Sequence, residues 1–371
     1  MTTMSVIPAP NLQVVGRRLQ PIWTDAQQVW CGRDLWVYRY HYESRRLQAV
    51  FRLPRRSNSP GGRLRDALAR SWIKRWLRPG LDIDTLTQLP GGDLVVLFDR
   101  VYWYSPGHHK RFAEPLAQAG IDPPLAMPLR GGLAVHPASR CAYFGEYLNG
   151  NHREIRVARV DVDRRQVEIC WTFARSDIKH VHAIHYDRFR NRLWVCTGDQ
   201  DHESAIWYTD DEFWTLHRFG GGDQSWRAIA MLFDEGGMEW GMDAGQDAPA
   251  DAINRIYRHD FTTGQRSERV VIGNPAYAAS ELSDGTAILQ TSFEPRRQQP
   301  TPAAVSLWHR GVDGVWLPLL EMPYLARSRD GKEPYGHLLI PQGQGPAGQL
   351  LCTPVNTARH AGCLLHLRWD A

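Results

Sequence analysis

The sequence predicts an all-β protein, a β-propeller with seven four-stranded blades and one short basic helical insertion. Three observations predict it. Paired short apolar strands recur along the chain at a spacing of about 48 residues. Within the copies, apolar and polar residues alternate in the manner of half-buried strands. The composition is globular, 43% hydrophobic and 23% charged with 15 Trp, and no run approaches the ~18 apolar residues of a membrane helix. Each hairpin can bury its apolar face only against its neighbours, so radial repetition closes one continuous core. A six-bladed ring and a pair of β-sandwiches are the other architectures such repeats allow. Residues 1–371 are read as a single propeller domain whose two ends meet in one closing blade.

The registers follow in order. The first falls on 36–42 (WVYRYHY), which alternates as a strand. The next stretch, 55–80, breaks the pattern: eight Arg or Lys stand against one Asp, and Pro60-Gly61-Gly62 and Pro79-Gly80 bracket a helix over 63–77. Leu64, Leu68, Trp72 and Trp76 share one face of it. Such a helix can pack on the propeller flank, lie on an anionic membrane surface, or meet DNA. The remaining registers are 89–99, 133–147 (LAVHPASRCAYFGEY), 184–199 (IHYDRFRNRLWVCTGD), 229–243 (IAMLFDEGGMEWGMD), 281–294 and 337–353. His136 to Tyr143 and Phe233 to Trp240 are both seven residues apart, and Glu146 and Asp243 follow three later in each. The 184–199 copy has a turn longer by two.

Bulk properties bound the function. The opening residues have neither a basic start nor an apolar core of a leader, so the expectation is a cytoplasmic protein, peripheral at the inner membrane if the basic helix docks there. Cys31, Cys141, Cys170, Cys196, Cys352 and Cys363 are scattered without a CxxC pair and read as reduced, buried thiols. A net charge of +4 is too small to argue a nucleic-acid partner.

In a propeller the innermost strand of a blade and the next run antiparallel, so the start of the first and the end of the second share a face. First-strand starts contribute Arg130, His180, His182, Arg227, Tyr277, Tyr335 and His337. Second-strand ends contribute Glu146, Tyr147, Asp199, Asp243 and Glu294, and the loops beyond add Asn149, Glu203, Gln224 and Trp226. Loop ends over a rigid scaffold are where binding groups gather. His180, His182, Glu146, Tyr147 and Asp199 are the candidate catalytic groups, with Arg227 close by as an anion clamp; the others are candidate substrate contacts. An acid after Gly also caps tight turns, and a strand His also serves the core.

No GxSxG elbow, P-loop or dinucleotide fingerprint occurs. Glycan chemistry suits the inventory. Two carboxyls flanking a bond can hydrolyse it. His and Tyr can instead move protons in β-elimination from a uronic acid whose carboxylate is neutralised by Arg or a cation. No motif specifies a cofactor; His180 and His182 with Asp199 or Glu203 would suit a divalent cation. The expected partner is an acidic glycan. The competing function is a non-catalytic scaffold in polysaccharide assembly or export.

The run 180–211 (HVHAIHYDRFRNRLWVCTGDQDHESAIWYTDD), with GEY at 145–147, DQSWRAI at 223–229 and TSFEP at 291–295, resembles the sialidase-like, Asp-box (BNR) propeller proteins over about 85–300. Residues 209–216 (TDDEFWTL) are similar to the Asp-box pattern, with Phe213 in place of Gly and Leu216 in place of Trp. Residues 51–54 (FRLP) are similar to the F/Y-R-I-P motif, but the basic insertion follows at once and no arginine triad is assignable. The resemblance implies a propeller and a carbohydrate substrate, as in sialidases, other glycosidases and polysaccharide lyases; fold alone does not decide function.

Overall fold

Short runs of β-branched and aromatic residues, punctuated by Gly, Asp and Asn turns, fold as antiparallel strands. The computed structural model describes residues 8–54, 83, 85–150, 153–295, 301–326 and 335–369. Burial grades the strands by position. Cys141–Gly145 and Gly237–Met242 are buried throughout, whereas Arg266–Gly273 is largely exposed at a sheet's outer edge. The innermost strands neighbour one another in a closed ring, from Thr85–Gln88 through Leu133–His136, His180–Asp187, Ala228–Phe233, Ala276–Leu282, Gln342–Gly345 and Gln20–Thr24 back to the start. The result is a β-propeller.

Among the described residues the strands form five four-stranded sheets and one nine-stranded sheet. This corrects the expectation of seven four-stranded blades. In the nine-stranded sheet Gln342–Gly345 lies parallel to Gln20–Thr24 on one side and to Ala276–Leu282 on the other. A Cβ at Gly343 would sit 2.2 Å from the Thr24 carbonyl, and Gly343 has φ +102°, so glycine alone lets this strand in. A hairpin period does not register so short a Gly-rich strand. The helix expected over 63–77 lies outside the described residues; among those described, the helical content is a 3₁₀ turn at Gln224–Trp226.

Asn11–Arg17 pairs with Cys363–Arg368, so the two ends of the chain share one sheet. The core lies between faces of adjacent sheets. Tyr143, Val157, Ile184 and Val195 fill one such layer, and Trp194, Met231 and Trp240 the next. Replacing Trp194 or Trp240 with Ala would cost about 3–5 kcal/mol. At 209–216 Asp211 accepts from the Thr215 N–H (2.8 Å) and hydroxyl (2.7 Å), and Phe213, in the glycine position of the motif, has φ +75° and is buried. All six cysteines are free, and all but Cys170 are buried.

Candidate functional site

The centre is built where the sheet 180–221 meets the sheet 228–273. His180 opens an inner strand and stands opposite Gly198. The register slips between Val181 and Ala183, so His182 is an extra, bulged residue. A bulge re-aims a side chain; here it brings the two imidazoles to a centroid separation of 5.0 Å. Gly198 makes room, since a Cβ there would lie 2.8 Å from His182 Cε1. Asp199 follows directly and carries its carboxylate to the pair.

His180 Nε2 and His182 Nε2 are 3.1 Å apart, and Asp199 Oδ1 is 3.3 Å from the first and 3.2 Å from the second. The outer ring nitrogens face main-chain carbonyls: His180 Nδ1 lies 3.1 Å from Leu148 O and His182 Nδ1 3.1 Å from Ala228 O. Arg227, at the entry to the next inner strand, reaches Asp199 Oδ1 (3.0 Å), Asp243 Oδ2 (3.6 Å) and Asp247 Oδ1 (3.0 Å). Tyr147 stacks on His180 with centroids 4.0 Å apart. The histidines, Asp199, Arg227 and Asp243 are buried; Tyr147 and Lys179 are half-buried and Asn149 is exposed.

Burial pushes the Asp199 carboxyl up, but the adjacent imidazoles and Arg227 outweigh it and hold Asp199 well below the usual carboxylate range. Asp243 goes the other way. Burial raises it well above the ordinary value, and the charges of Glu294 and Asp199 add to that against Arg227. Burial also lowers His182 to about 4 and raises the Tyr147 hydroxyl. Asp243 Oδ1, Arg227 Nε and Gln224 Oε1 are buried without a hydrogen-bond partner. Buried polar groups are nearly always paired, so three such atoms around one spot mark it out.

The other candidates fall into four groups. Glu146 does not join the imidazoles: its carboxylate is held by Arg153 (2.7 Å), Arg156 (2.8 and 2.9 Å) and the Ala126 N–H (2.9 Å). Glu203 and Gln224 support the Asp199 loop. Glu203 accepts from the N–H groups of Asp199 and Gln200, and Gln224 Nε2 donates to Asp199 O (2.9 Å) and Asp201 Oδ1 (2.9 Å). Trp226 packs on Trp240 in the core, with centroids 5.3 Å apart. Tyr277, Glu294, Tyr335 and His337 form a second polar group. Tyr277 is the bulged residue of its strand and donates to Glu294, Gln246 Nε2 donates to the Tyr335 hydroxyl (2.6 Å), and His337 Nδ1 meets Ser292 Oγ (2.7 Å). Burial, then the Arg130 charge, pushes His337 down to about 4.

Two members of the centre escaped the sequence reading. Lys179 Nζ binds Asp199 Oδ2 at 2.5 Å, and Asp247 binds Arg227. Lys179 sits just before the first histidine and Asp247 in the loop after a second strand, so the face rule that found their neighbours, extended by a few residues, reaches both. His108, His109 and Glu114 also lie together, but Ser105 N–H donates to His109 Nδ1 (2.9 Å), which leaves the ring proton on His109 Nε2, 3.2 Å from Glu114 Oε1.

No protein-family model matches the chain, and no curated protein does. Solved structures resemble it. An oligogalacturonate lyase in complex with manganese is 11% identical with a TM-score of 0.61, covering 99% of this chain and 95% of that one. Virginiamycin B lyase from Staphylococcus aureus is 12% identical with a TM-score of 0.57, covering 97% and 100%. The GH74 enzyme of Niastella koreensis is 12% identical with a TM-score of 0.54, covering 83% of this chain and 46% of that one. At these identities the likeness shows the β-propeller fold, and the sialidase-like assignment finds no family match.

Proposed function

We propose that this chain is a carbohydrate-active propeller that takes an acidic oligosaccharide at the edge formed by Tyr147, Asn149 and Lys179 and cleaves it there. The observation that carries the reading is the convergence of two imidazoles, two carboxyls and a guanidinium in one buried spot, with Asp243 Oδ1 and Arg227 Nε uncommitted. Asp199 and Arg227 form a charged floor, with His180 and His182 against it. Asp243, which burial keeps protonated beside Arg227, is the proton donor, and Tyr147, on His180, is the proton acceptor in its ionised form. In β-elimination one group takes the proton α to the sugar carboxylate while the C–O bond to the leaving sugar breaks, and another returns a proton to the departing oxygen. Two of the similar propellers are named lyases, one of them for an oligosaccharide of uronic acids, and a third is a GH74 enzyme, which supports this reading. The Asp-box-like turn at 209–216 supports a sialidase-like kind of propeller.

Incubation with a panel of acidic oligosaccharides tests it, following both new reducing ends and the absorbance of unsaturated uronate. Reducing ends with the absorbance mean elimination; reducing ends alone mean hydrolysis. The near-complete burial of both imidazoles favours a second reading, a binding propeller without turnover. Saturable glycan binding with neither product would establish that one.

A further inference from the structure

The inner ring nitrogens of the two histidines converge on each other and on one carboxylate oxygen. Leu148 O and Ala228 O can only accept, so each Nδ1 facing them carries the ring proton. A neutral imidazole has one N–H, which leaves both Nε2 atoms as lone pairs pointing at each other across 3.1 Å and at the Asp199 carboxylate. If both rings were charged, two Nε2–H groups would collide over the same gap. A single proton between the rings would pair the two Nε2 atoms; with both rings neutral, two lone pairs converge beside the Asp199 oxygen that accepts from Arg227, in an interior where water does not screen them.

We infer that His180 Nε2, His182 Nε2 and Asp199 Oδ1 form a binding site for a single divalent transition-metal ion. Their separations of 3.1, 3.2 and 3.3 Å make a nearly equilateral triangle. Three ligands at about 2.1 Å from one ion are about 3.0 Å apart on an octahedral face and about 3.4 Å apart on a tetrahedral one. The observed edges fall between. Two imidazoles and one carboxylate favour Zn²⁺, Mn²⁺ or Fe²⁺ over Ca²⁺ and Mg²⁺, which prefer all-oxygen shells. The surroundings are those of a metal centre too: each ring is oriented by a carbonyl on Nδ1, and the carboxylate by Lys179 and Arg227. Gly198 leaves the space in which His182 turns inward. With one anionic ligand, a divalent ion keeps a net positive charge; resting on the function proposed above, that charge would meet the carboxylate of an acidic sugar.

The full-length chain, as purified and after chelator treatment, is measured for metal content and then titrated with MnCl₂ and with ZnCl₂ by calorimetry, without any glycan. About one ion per chain is expected, together with a metal-dependent rise in melting temperature. His182→Ala and Asp199→Asn should each weaken binding by about 100-fold or more, while His108→Ala should leave it unchanged. Circular dichroism confirms that each variant is folded, and His182→Gln, which keeps most of the side-chain volume, serves if Ala is not. The inference is overturned if no stoichiometric ion binds, if the His182 and Asp199 variants bind as the parent does, or if His108→Ala abolishes binding. Because no sugar is present, a failed glycan panel leaves this result standing, and a failed titration leaves the panel standing.

Discussion

Glu146 and Asp199 occupy the same topological place in neighbouring sheets, each a buried acid directly after the Gly that ends a second strand. Their surroundings are opposite. Glu146 is wrapped in donors: two guanidinium groups and the main-chain N–H groups of Ala126 and Arg156. Burial raises its carboxyl, but those hydrogen bonds outweigh it and leave it lowered. Every lone pair is complemented, which is what a structural tie between strands requires. Asp199 turns one oxygen to Lys179 and the other to Arg227 and two inward-facing imidazole nitrogens. Position in the fold therefore delivers an acid to the face, and the neighbours decide whether it is a rivet or a reactive group.

The largest expected effect breaks the rivet. Glu146→Gln leaves Arg156 buried against an uncharged partner and should cost about 3 kcal/mol or more of stability in chemical denaturation. Turnover per folded molecule should persist; loss of turnover without loss of stability would reverse the contrast. At the other acid's site, His182→Ala should lower turnover by about 100-fold or more with only a small change in melting temperature. Gly198→Ala sharpens the same point, because its new methyl must push the His182 ring aside. It should impair activity and metal affinity together, though no ligand atom is removed.

A third buried group separates a satisfied histidine from the unsatisfied pair. His366 Nδ1 bonds the Tyr40 hydroxyl (3.0 Å) and its Nε2 bonds Gln349 Oε1 (2.8 Å), so the neutral ring is complemented on both sides. Burial, then the charges of Arg368 and Arg45, push it down to about 4. A folded value below the unfolded ~6.5 means that its contribution is complete above that pH and lost as pH falls toward 4. Relative to a His366→Gln variant, the parent should lose about 1.4 kcal/mol between neutral pH and pH 5.5. Parallel stability curves for the two proteins would refute this. The smallest effect is at Lys179, whose side chain is 31% exposed. Lys179→Met should change stability by less than about 1 kcal/mol and weaken binding of an acidic glycan a few-fold, read by calorimetry.

The propeller was legible because hairpins that bury the same face must repeat the same pattern; His136, Phe233 and their partners at Tyr143 and Trp240 carry that period openly. That Glu146, Asp199 and Asp243 directly follow second strands was legible for the same reason, since the hairpin pattern marks where each second strand ends. The nine-stranded sheet was not, because Gln342–Gly345 is four residues rich in Gly and pairs with strands hundreds of residues upstream and about 60 away on its other side.

Sequence by itself thus determined the β-propeller and the acids that follow its second strands, both of which follow from the local alternation of side chains along a strand. Tertiary structure alone decided which of those residues meet. The bulge at His182 swings a ring that regular pairing would have placed differently, and Arg153 and Arg156 reach back from beyond the next turn to claim Glu146. Arg227 arrives from the neighbouring sheet to claim Asp199. Hydrogen bonds and ion pairs act over about 3 Å in any direction, and that range is set by folded distance rather than by separation along the chain.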